Sequence, residues 1–309
     1  MLFRSSNGSI TSNSDVALGN VNVALNGKVY TAAIGQVTPT TVDFGIVRVG
    51  DTVTAKTITV QNTAAVTALN DTLRGNLTGV GGPFTPASTV GGIAAQSSST
   101  LSVGLNTTAA GISNQTGSVK LLSQNADLAD VSAGADASVL FKAQINNLAN
   151  AHFGLFTGVG SLSQSGNTFT LDLGNIVLGS NNVLKLKLDN NVSGPADDLS
   201  GGLFNIAGAN DFTLSGFGTV ATLAAGQFSG DLNVSYLASA LGLFTDSVDF
   251  GGFSTNTSDT AGIEQHRQLI IKANVINQGN QVPEPGTLVL LLLAAASAYV
   301  VRRRRTMAH

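Results

Sequence analysis

The chain has 309 residues, of which 43% are hydrophobic and only 11% are charged, so two domains with real hydrophobic cores are expected and a disordered chain is excluded. It contains no cysteine, which excludes disulfides, cysteine-based zinc sites and a thiol nucleophile. The net charge is −3, but residues 1–281 carry 11 basic and 17 acidic side chains, and this acidic body excludes a nucleic-acid partner.

Residues 1–36 are predicted to be the remnant of a β-repeat that precedes the others. They lack the basic start and the apolar run of about 7–15 residues that make a signal peptide. Instead, Val21, Val23 and Leu25 alternate with polar residues before Asn26, as in the last strand of the next repeat. The sequence therefore predicts either an internal start or a truncated gene, with a signal peptide missing upstream of Met1.

Two β-sandwich repeats are predicted, over residues 37–148 and 149–277. The nine residues that begin at Val42 match the nine that begin at Leu171, and later segments match in the same order. Within each match, apolar and polar residues alternate with a period of two, which is typical of half-buried strands. Six or seven such strands in each repeat predict an all-β fold of tandem immunoglobulin-like β-sandwiches, followed by one carboxyl-terminal transmembrane helix.

The start of the first repeat carries a family resemblance. Residues 43–50 read DFGIVRVG, and a strand containing TVQNT follows at 59–63. This pattern resembles the choice-of-anchor D family, which is immunoglobulin-like and related to ASH and Hydin modules. The second repeat departs from the pattern, because Leu173 stands in the position of Phe44.

The three histidines, His152, His266 and His309, are interpreted as surface loop residues. A catalytic triad needs serine, histidine and aspartate to converge, and the sequence has no G-x-S-x-G nucleophile motif. No catalytic, cofactor-binding or metal-binding residue is therefore predicted. The absence of tryptophan and the presence of only three tyrosines also disfavour a dedicated carbohydrate-binding groove.

Two groups of aspartates fall in predicted loops. The first group is Asp127, Asp130 and Asp136, and the second is Asp197, Asp198 and Asp211. Calcium prefers clustered oxygen ligands, but neither group has the spacing of a known calcium loop. We interpret all six as solvated turn residues, with a weak calcium site as the alternative.

The last 32 residues contain a linker over 278–286, an apolar segment over 287–301 and a basic tail over 302–309. Fifteen helical residues extend about 22 Å, which is short against a hydrocarbon core of about 30 Å. A buried core helix with a basic tail is the disfavoured alternative, since a uniformly apolar segment at the chain end needs a lipid partner. The positive-inside rule keeps the stop-transfer arginines in the cytoplasm. These are Arg302, Arg303, Arg304 and Arg305.

A Pro-Glu-Pro motif, a short apolar helix and a terminal arginine cluster, in this order, resemble the PEP-CTERM sorting signal of Gram-negative bacteria. The segment is also known as an ice-binding-protein C-terminal domain, a name that does not indicate ice binding. The resemblance implies recognition by exosortase, a membrane protease or transpeptidase, and transit through the inner membrane to the outer surface or extracellular matrix. The implied recognition residues are Val282, Pro283, Glu284 and Pro285.

The expected function is therefore that of an exported, non-catalytic protein of the cell surface or extracellular matrix. The alternative is a surface adhesin or a module that binds polysaccharide or protein through loops at one end of a sandwich. A secreted hydrolase is the remote alternative. The expected partners are the membrane, through residues 287–301, and exosortase.

Overall fold

The computed structural model describes residues 27–208 and 211–278, which form twenty β-strands. In these ranges, no helix is long and apolar enough to cross a membrane. The predicted transmembrane helix at 287–301, its flanking linker motif and the basic tail lie outside the described residues, as do residues 1–26 of the predicted remnant.

The first ten strands form two sheets that face each other. Their bounds are β1 Gly35–Thr38, β2 Thr41–Arg48, β3 Lys56–Asn62, β4 Thr72–Thr78, β5 Phe84–Pro86, β6 Thr89–Ile93, β7 Ser98–Leu105, β8 Gly111–Gln124, β9 Val131–Ser132 and β10 Ala137–Asn146. One sheet has the order β1-β3-β7-β5, and the other has the order β2-β10-β8-β4-β6, with β9 paired to β8. These strands enclose one hydrophobic core and are called the first sandwich.

The next ten strands form the second sandwich, with a core of its own. Their bounds are β11 Ala151–Thr157, β12 Ser161–Ser165, β13 Thr168–Val177, β14 Asn181–Asn190, β15 Asp198–Gly208, β16 Thr213–Ser215, β17 Thr219–Leu223, β18 Leu232–Leu237, β19 Gly242–Asn256 and β20 Asp259–Ile276. The sheets have the orders β11-β14-β18-β16 and β12-β13-β20-β19-β15-β17. Apart from the edge strands β9 and β12, the strand order of the first sandwich is repeated. The prediction of an all-β chain built from β-sandwiches is confirmed.

The alternation of side chains explains why these segments form strands. Ile58 and Val60 on β3 are fully buried, and so are Leu186 and Leu188 at the matching positions of β14. The polar residues between them point to the other face of the sheet, because successive side chains of a strand alternate between faces. Each fully buried aliphatic side chain stabilises the fold by about 1.5–3 kcal/mol relative to an exposed one.

The first sandwich begins before residue 37, where the sequence placed its boundary. Ala33 is 3% exposed and belongs to the core, and β1 already starts at Gly35. The Gly35 amide also donates to the carbonyl of Ala133, at 3.0 Å. Residues 33–36 are therefore part of the first sandwich and not of a preceding repeat.

Strands β2 and β13 contain the same glycine bulge. Gly45 and Gly174 have φ angles of +70° and +69°, and the pairing register shifts at both places. In each bulge the aspartate two residues earlier, Asp43 or Asp172, accepts a hydrogen bond from the glycine amide at 2.8 Å. Glycine adopts this left-handed backbone conformation without the steric cost that a Cβ atom adds.

Gly174→Ala is expected to lower the free energy of unfolding by about 1–2 kcal/mol, which is the cost of a left-handed conformation for an L-residue. No atom lies within 4 Å of the position of the added Cβ, so backbone strain alone is measured. The control is Gly154→Ala on β11, which has equal space and no positive φ. Urea unfolding of both variants checks the prediction, and equal midpoints would contradict it.

Candidate functional site at the joint between the sandwiches

Two of the three histidines lie in strands, so their prediction as surface loop residues is wrong. His152 lies on β11, where its Nδ1 is 3.0 Å from Asp189 Oδ1 and its ring packs edge-on against Phe169. His266 lies on β20, opposite Gly251. No serine of residues 27–208 or 211–278 donates a hydrogen bond to either ring, and His309 lies outside the described residues.

The interpretation of Asp197 as a solvated turn residue is also wrong, because this side chain has no exposed surface. Asp198 is the first residue of β15, and Asp127 is exposed and forms an ion pair with Lys28. In the part of the chain that the structure describes, no three acidic or histidine side chains are grouped to hold a metal ion. Asp197 lies at the boundary between the sandwiches, where Arg48 and Asn146 of the first sandwich bond to it.

Arg48, the last residue of β2, extends its guanidinium group from the first sandwich into the second. Its Nε lies 2.5 Å from Asp197 Oδ2, and its Nη1 lies 2.6 Å from Asp259 Oδ2. Its Nη2 donates to the carbonyl of Ser254 at 3.2 Å. Arg48 is only 7% exposed. Its buried charge is balanced by two carboxylates of the neighbouring sandwich.

Asp197 accepts hydrogen bonds from both sandwiches. Asn146 from the end of β10 and Asn256 from the end of β19 each donate to Oδ1 at 2.9 Å. The Ser254 hydroxyl and Arg48 Nε donate to Oδ2. Four donors on one buried carboxylate satisfy its hydrogen-bonding capacity, which is the condition under which a buried charge is tolerated.

The pKa values of this cluster are shifted by its contacts. Burial raises the pKa of Asp197, but hydrogen bonds from Asn146, Asn256 and Arg48, together with the charge of Arg48, outweigh burial and lower it below its usual value. Burial lowers the pKa of Arg48, but the bonds and charges of Asp259 and Asp197 raise it overall. The cluster is therefore an ion pair over the whole neutral range.

We call the contact of Arg48 with Asp197 and Asp259 the joint between the sandwiches. The joint is expected to weaken in acid. Because the pKa of Asp197 is lower in the folded chain than its unfolded value of about 3.8, its stabilising effect is complete above pH 3.8 and is lost as pH falls through the folded pKa. Urea unfolding between neutral pH and pH 2 is expected to show a steeper acid loss for the wild-type chain than for Asp197→Asn. An acid slope of Asp197→Asn equal to that of the wild-type chain would contradict the prediction.

The backbone strengthens the same joint. The four residues 147–150 connect β10 to β11, and the amide of Asn147 donates to the carbonyl of Pro195 at 2.8 Å. In return, the Asp197 amide donates to the carbonyl of Asn147 at 2.9 Å. The Ile46 amide also reaches the hydroxyl of Ser258 in the second sandwich, at 3.3 Å. The connection is therefore a hydrogen-bonded part of the structure and not a free tether.

The sequence contained a signal for this joint. Arg48 stands where the second repeat has Val177, so a charged residue replaces an apolar one within a matched strand. Asp71 and Asp197 also occur at matching positions before β4 and β15. A charged residue at a position that is apolar in the second repeat indicates a polar contact of Arg48 in the first repeat only. The sequence does not identify the partner in this contact.

The family comparison identifies the carboxyl terminus. Residues 281–305 match the model described as the PEP-CTERM protein-sorting motif. This motif implies exosortase-targeted export to the cell envelope and surface. The match covers the predicted recognition residues, the apolar segment and the arginine cluster, all of which lie outside the described residues.

The structural comparisons give only distant likenesses, and no curated protein matches the chain. A protein of unknown function from Porphyromonas gingivalis W83 has 15% identity and a TM-score of 0.31, with 78% of this chain and 99% of that chain covered. CfaE, the adhesive subunit of the CFA/I fimbria of enterotoxigenic Escherichia coli, has 11% identity and a TM-score of 0.31, with coverage of 82% and 90%. The ASH/PapD-like domain of human CEP192 has 10% identity and a TM-score of 0.28, with coverage of 42% and 87%.

Proposed function

We propose that the chain is a non-catalytic component of the surface or extracellular matrix of a Gram-negative bacterium, and that exosortase processes it at its sorting motif. The match at residues 281–305 carries this proposal. The motif is a substrate for the processing enzyme, and the sandwiches are the delivered product. Residues 43–50 support a choice-of-anchor D type of module for the first sandwich.

The joint supports a structural role. A buried ion pair and several backbone hydrogen bonds connect the sandwiches over the short segment 147–150. A hydrogen-bonded connection of this kind holds neighbouring modules at a defined angle, whereas a Gly/Ser linker behaves as a random coil. Such a chain suits a spacer that holds its outer end away from its point of attachment.

The end of the second sandwich from which the chain continues is apolar. Leu237, Leu241 and Leu243 lie at or near the ends of β18 and β19, with 60%, 52% and 82% of their surface exposed. Strand β20 ends at Ile276 beside them, and residues 277–286 extend at most about 35 Å. This supports a position of the leucines near the membrane while residues 287–301 are inserted.

Cell fractionation tests the proposal in a host that contains exosortase. The wild-type chain is expected at the cell surface or in the medium, whereas a chain with Pro283→Ala and Pro285→Ala should remain in the inner membrane. Gln278→Ala, which precedes the matched residues 281–305, is the control and should behave as wild type. A double variant that reaches the surface normally would overturn the sorting role, and selective glycan binding by the delivered chain would favour an adhesin over a spacer.

A further inference from the structure

The amino-terminal end of the first sandwich contains side chains equivalent to those that the second sandwich contributes to the joint. Asp71 precedes β4 as Asp197 precedes β15. Ser123 Oγ and Asn125 Nδ2 donate to the carboxylate of Asp71 at 2.7 and 2.8 Å. The corresponding serine and asparagine donate to Asp197 at 3.1 and 2.9 Å. A serine and an asparagine therefore donate to both carboxylates in the same arrangement.

The entering chain also has the same course at both places. Thr31 forms a parallel bridge with Asn70, and Asn147 forms one with Ala196. In both sandwiches the amide two residues further along the chain donates to the serine Oγ of the cluster, at 2.8 and 2.9 Å. This places Tyr30 in the position of Asn146, immediately before the bridging residue. The equivalence thus includes the end of the strand that leads into each sandwich.

The two clusters differ because, of these two carboxylates, only Asp197 is paired with a cation among the described residues. Asp71 is only 4% exposed, yet no lysine or arginine of the described ranges forms an ion pair with it. The ammonium group of Lys28, which lies nearby, pairs with Asp127 at 2.9 Å. A cavity of about 290 Å³, lined by Asp71, Asn125 and Tyr30 among others, opens beside the carboxylate. The matching carboxylate of the second sandwich, Asp197, is paired with Arg48 Nε at 2.5 Å.

The chemistry of the cavity favours a guanidinium group. A carboxylate can accept about four hydrogen bonds, and Asp71 accepts two from the described side chains, whereas Asp197 accepts four. An arginine supplies the missing charge and planar donors at the same time. Leu128 stands where the second sandwich has Asp259, and the exposed Asp127 beside it provides a second carboxylate at the rim.

We propose that the cavity at Asp71 is a docking site for the arginine of another β-sandwich module, presented at the end of a strand as Arg48 is. A second copy of this chain does not fit, because Val177 occupies the matching position at the end of its second sandwich and Arg48 is already paired. The occupant is therefore a module with the Val-Arg-Val-Gly strand end of the first sandwich. This inference is independent of the sorting signal.

An insertion in the full-length chain tests the proposal. A second copy of residues 31–146 is placed between Tyr30 and Thr31. Asn146 of the inserted copy then directly precedes Thr31 of the original copy, as Asn146 directly precedes Asn147 in the native chain. Asp71→Asn in the original copy is then introduced into both the extended and the native chain, and urea unfolding is measured. The substitution is expected to lower the folding equilibrium constant about tenfold more in the extended chain, because only there does it remove the partner of a buried arginine.

Two further variants complete the test. Arg48→Gln in the inserted copy should abolish the excess effect of Asp71→Asn. Asp136→Asn in the original copy is the control of equal charge change, because Asp136 is exposed and does not line the cavity. Equal effects of Asp71→Asn in both chains would overturn the proposal, including the case in which the inserted copy does not dock. In the native chain, Arg4→Gln is combined with Asp71→Asn. If Arg4→Gln lowers the free energy of unfolding and the two losses are not additive, Arg4 of the same chain fills the cavity, and the proposal is overturned.

Discussion

Arg48→Met is expected to lower the free energy of unfolding by about 3–5 kcal/mol, because it leaves the buried carboxylate of Asp197 without its cation. The side chain of Asp197 has no exposed surface, and Arg48 Nε lies 2.5 Å from it. Methionine preserves much of the length of the side chain, so the lost charge accounts for most of the effect. Urea unfolding, followed through every transition of the chain, measures the change.

The control for this prediction is Lys120→Met, which removes an exposed charge from the first sandwich and should change stability by less than about 0.5 kcal/mol. Adding Asp197→Asn to Arg48→Met should recover part of the loss, because the unpaired charge is then removed. A loss of under about 1 kcal/mol in Arg48→Met would show that the pair acts as an ordinary surface ion pair and would contradict the account of the joint.

Phe141→Ala is expected to cost about 3–5 kcal/mol of stability, through lost burial and the cavity that the ring leaves. Phe141 is fully buried on β10, between β2 and β8 in the sheet. Its ring lies 5.7 Å from that of Phe84 in the opposite sheet. The loss should appear in the transition of the first sandwich, detected by urea unfolding.

Ile112→Ala on the adjacent strand β8 is the control, since 67% of Ile112 is exposed. Its truncation should change stability by less than about 0.5 kcal/mol. If both truncations had similar effects, the assignment of Phe141 to the core of the first sandwich would be wrong. A large effect of Phe141→Ala on the second sandwich as well would indicate that the joint couples the two cores.

The strands could be predicted because burial on one face of a sheet imposes a period of two. Ile58 and Leu186 match at an offset of 128 and are both fully buried. The same logic placed His266 in a surface loop, and this was wrong because the polar first half of β20 continues the pairing with β19 beyond the core. Hydrogen bonds extend this strand where no apolar alternation marks it.

The joint could not be predicted from local pattern. Arg48 and Asp197 are 149 residues apart, and each lies at a strand end, where charged residues are usually solvated. Their burial arises only because the end of one sandwich covers the start of the next. The repeat alignment could reveal the odd position of Arg48 against Val177, but the partner depends on the three-dimensional packing of two modules.

We propose that residues 281–305 are the signal that delivers the two sandwiches to the cell surface. Mass spectrometry of the mature carboxyl terminus, in hosts with and without exosortase, tests it most directly. We predict that the product loses the segment containing Arg302–Arg305 only where exosortase is present. An intact arginine tail in both hosts would contradict processing and leave a simple membrane anchor.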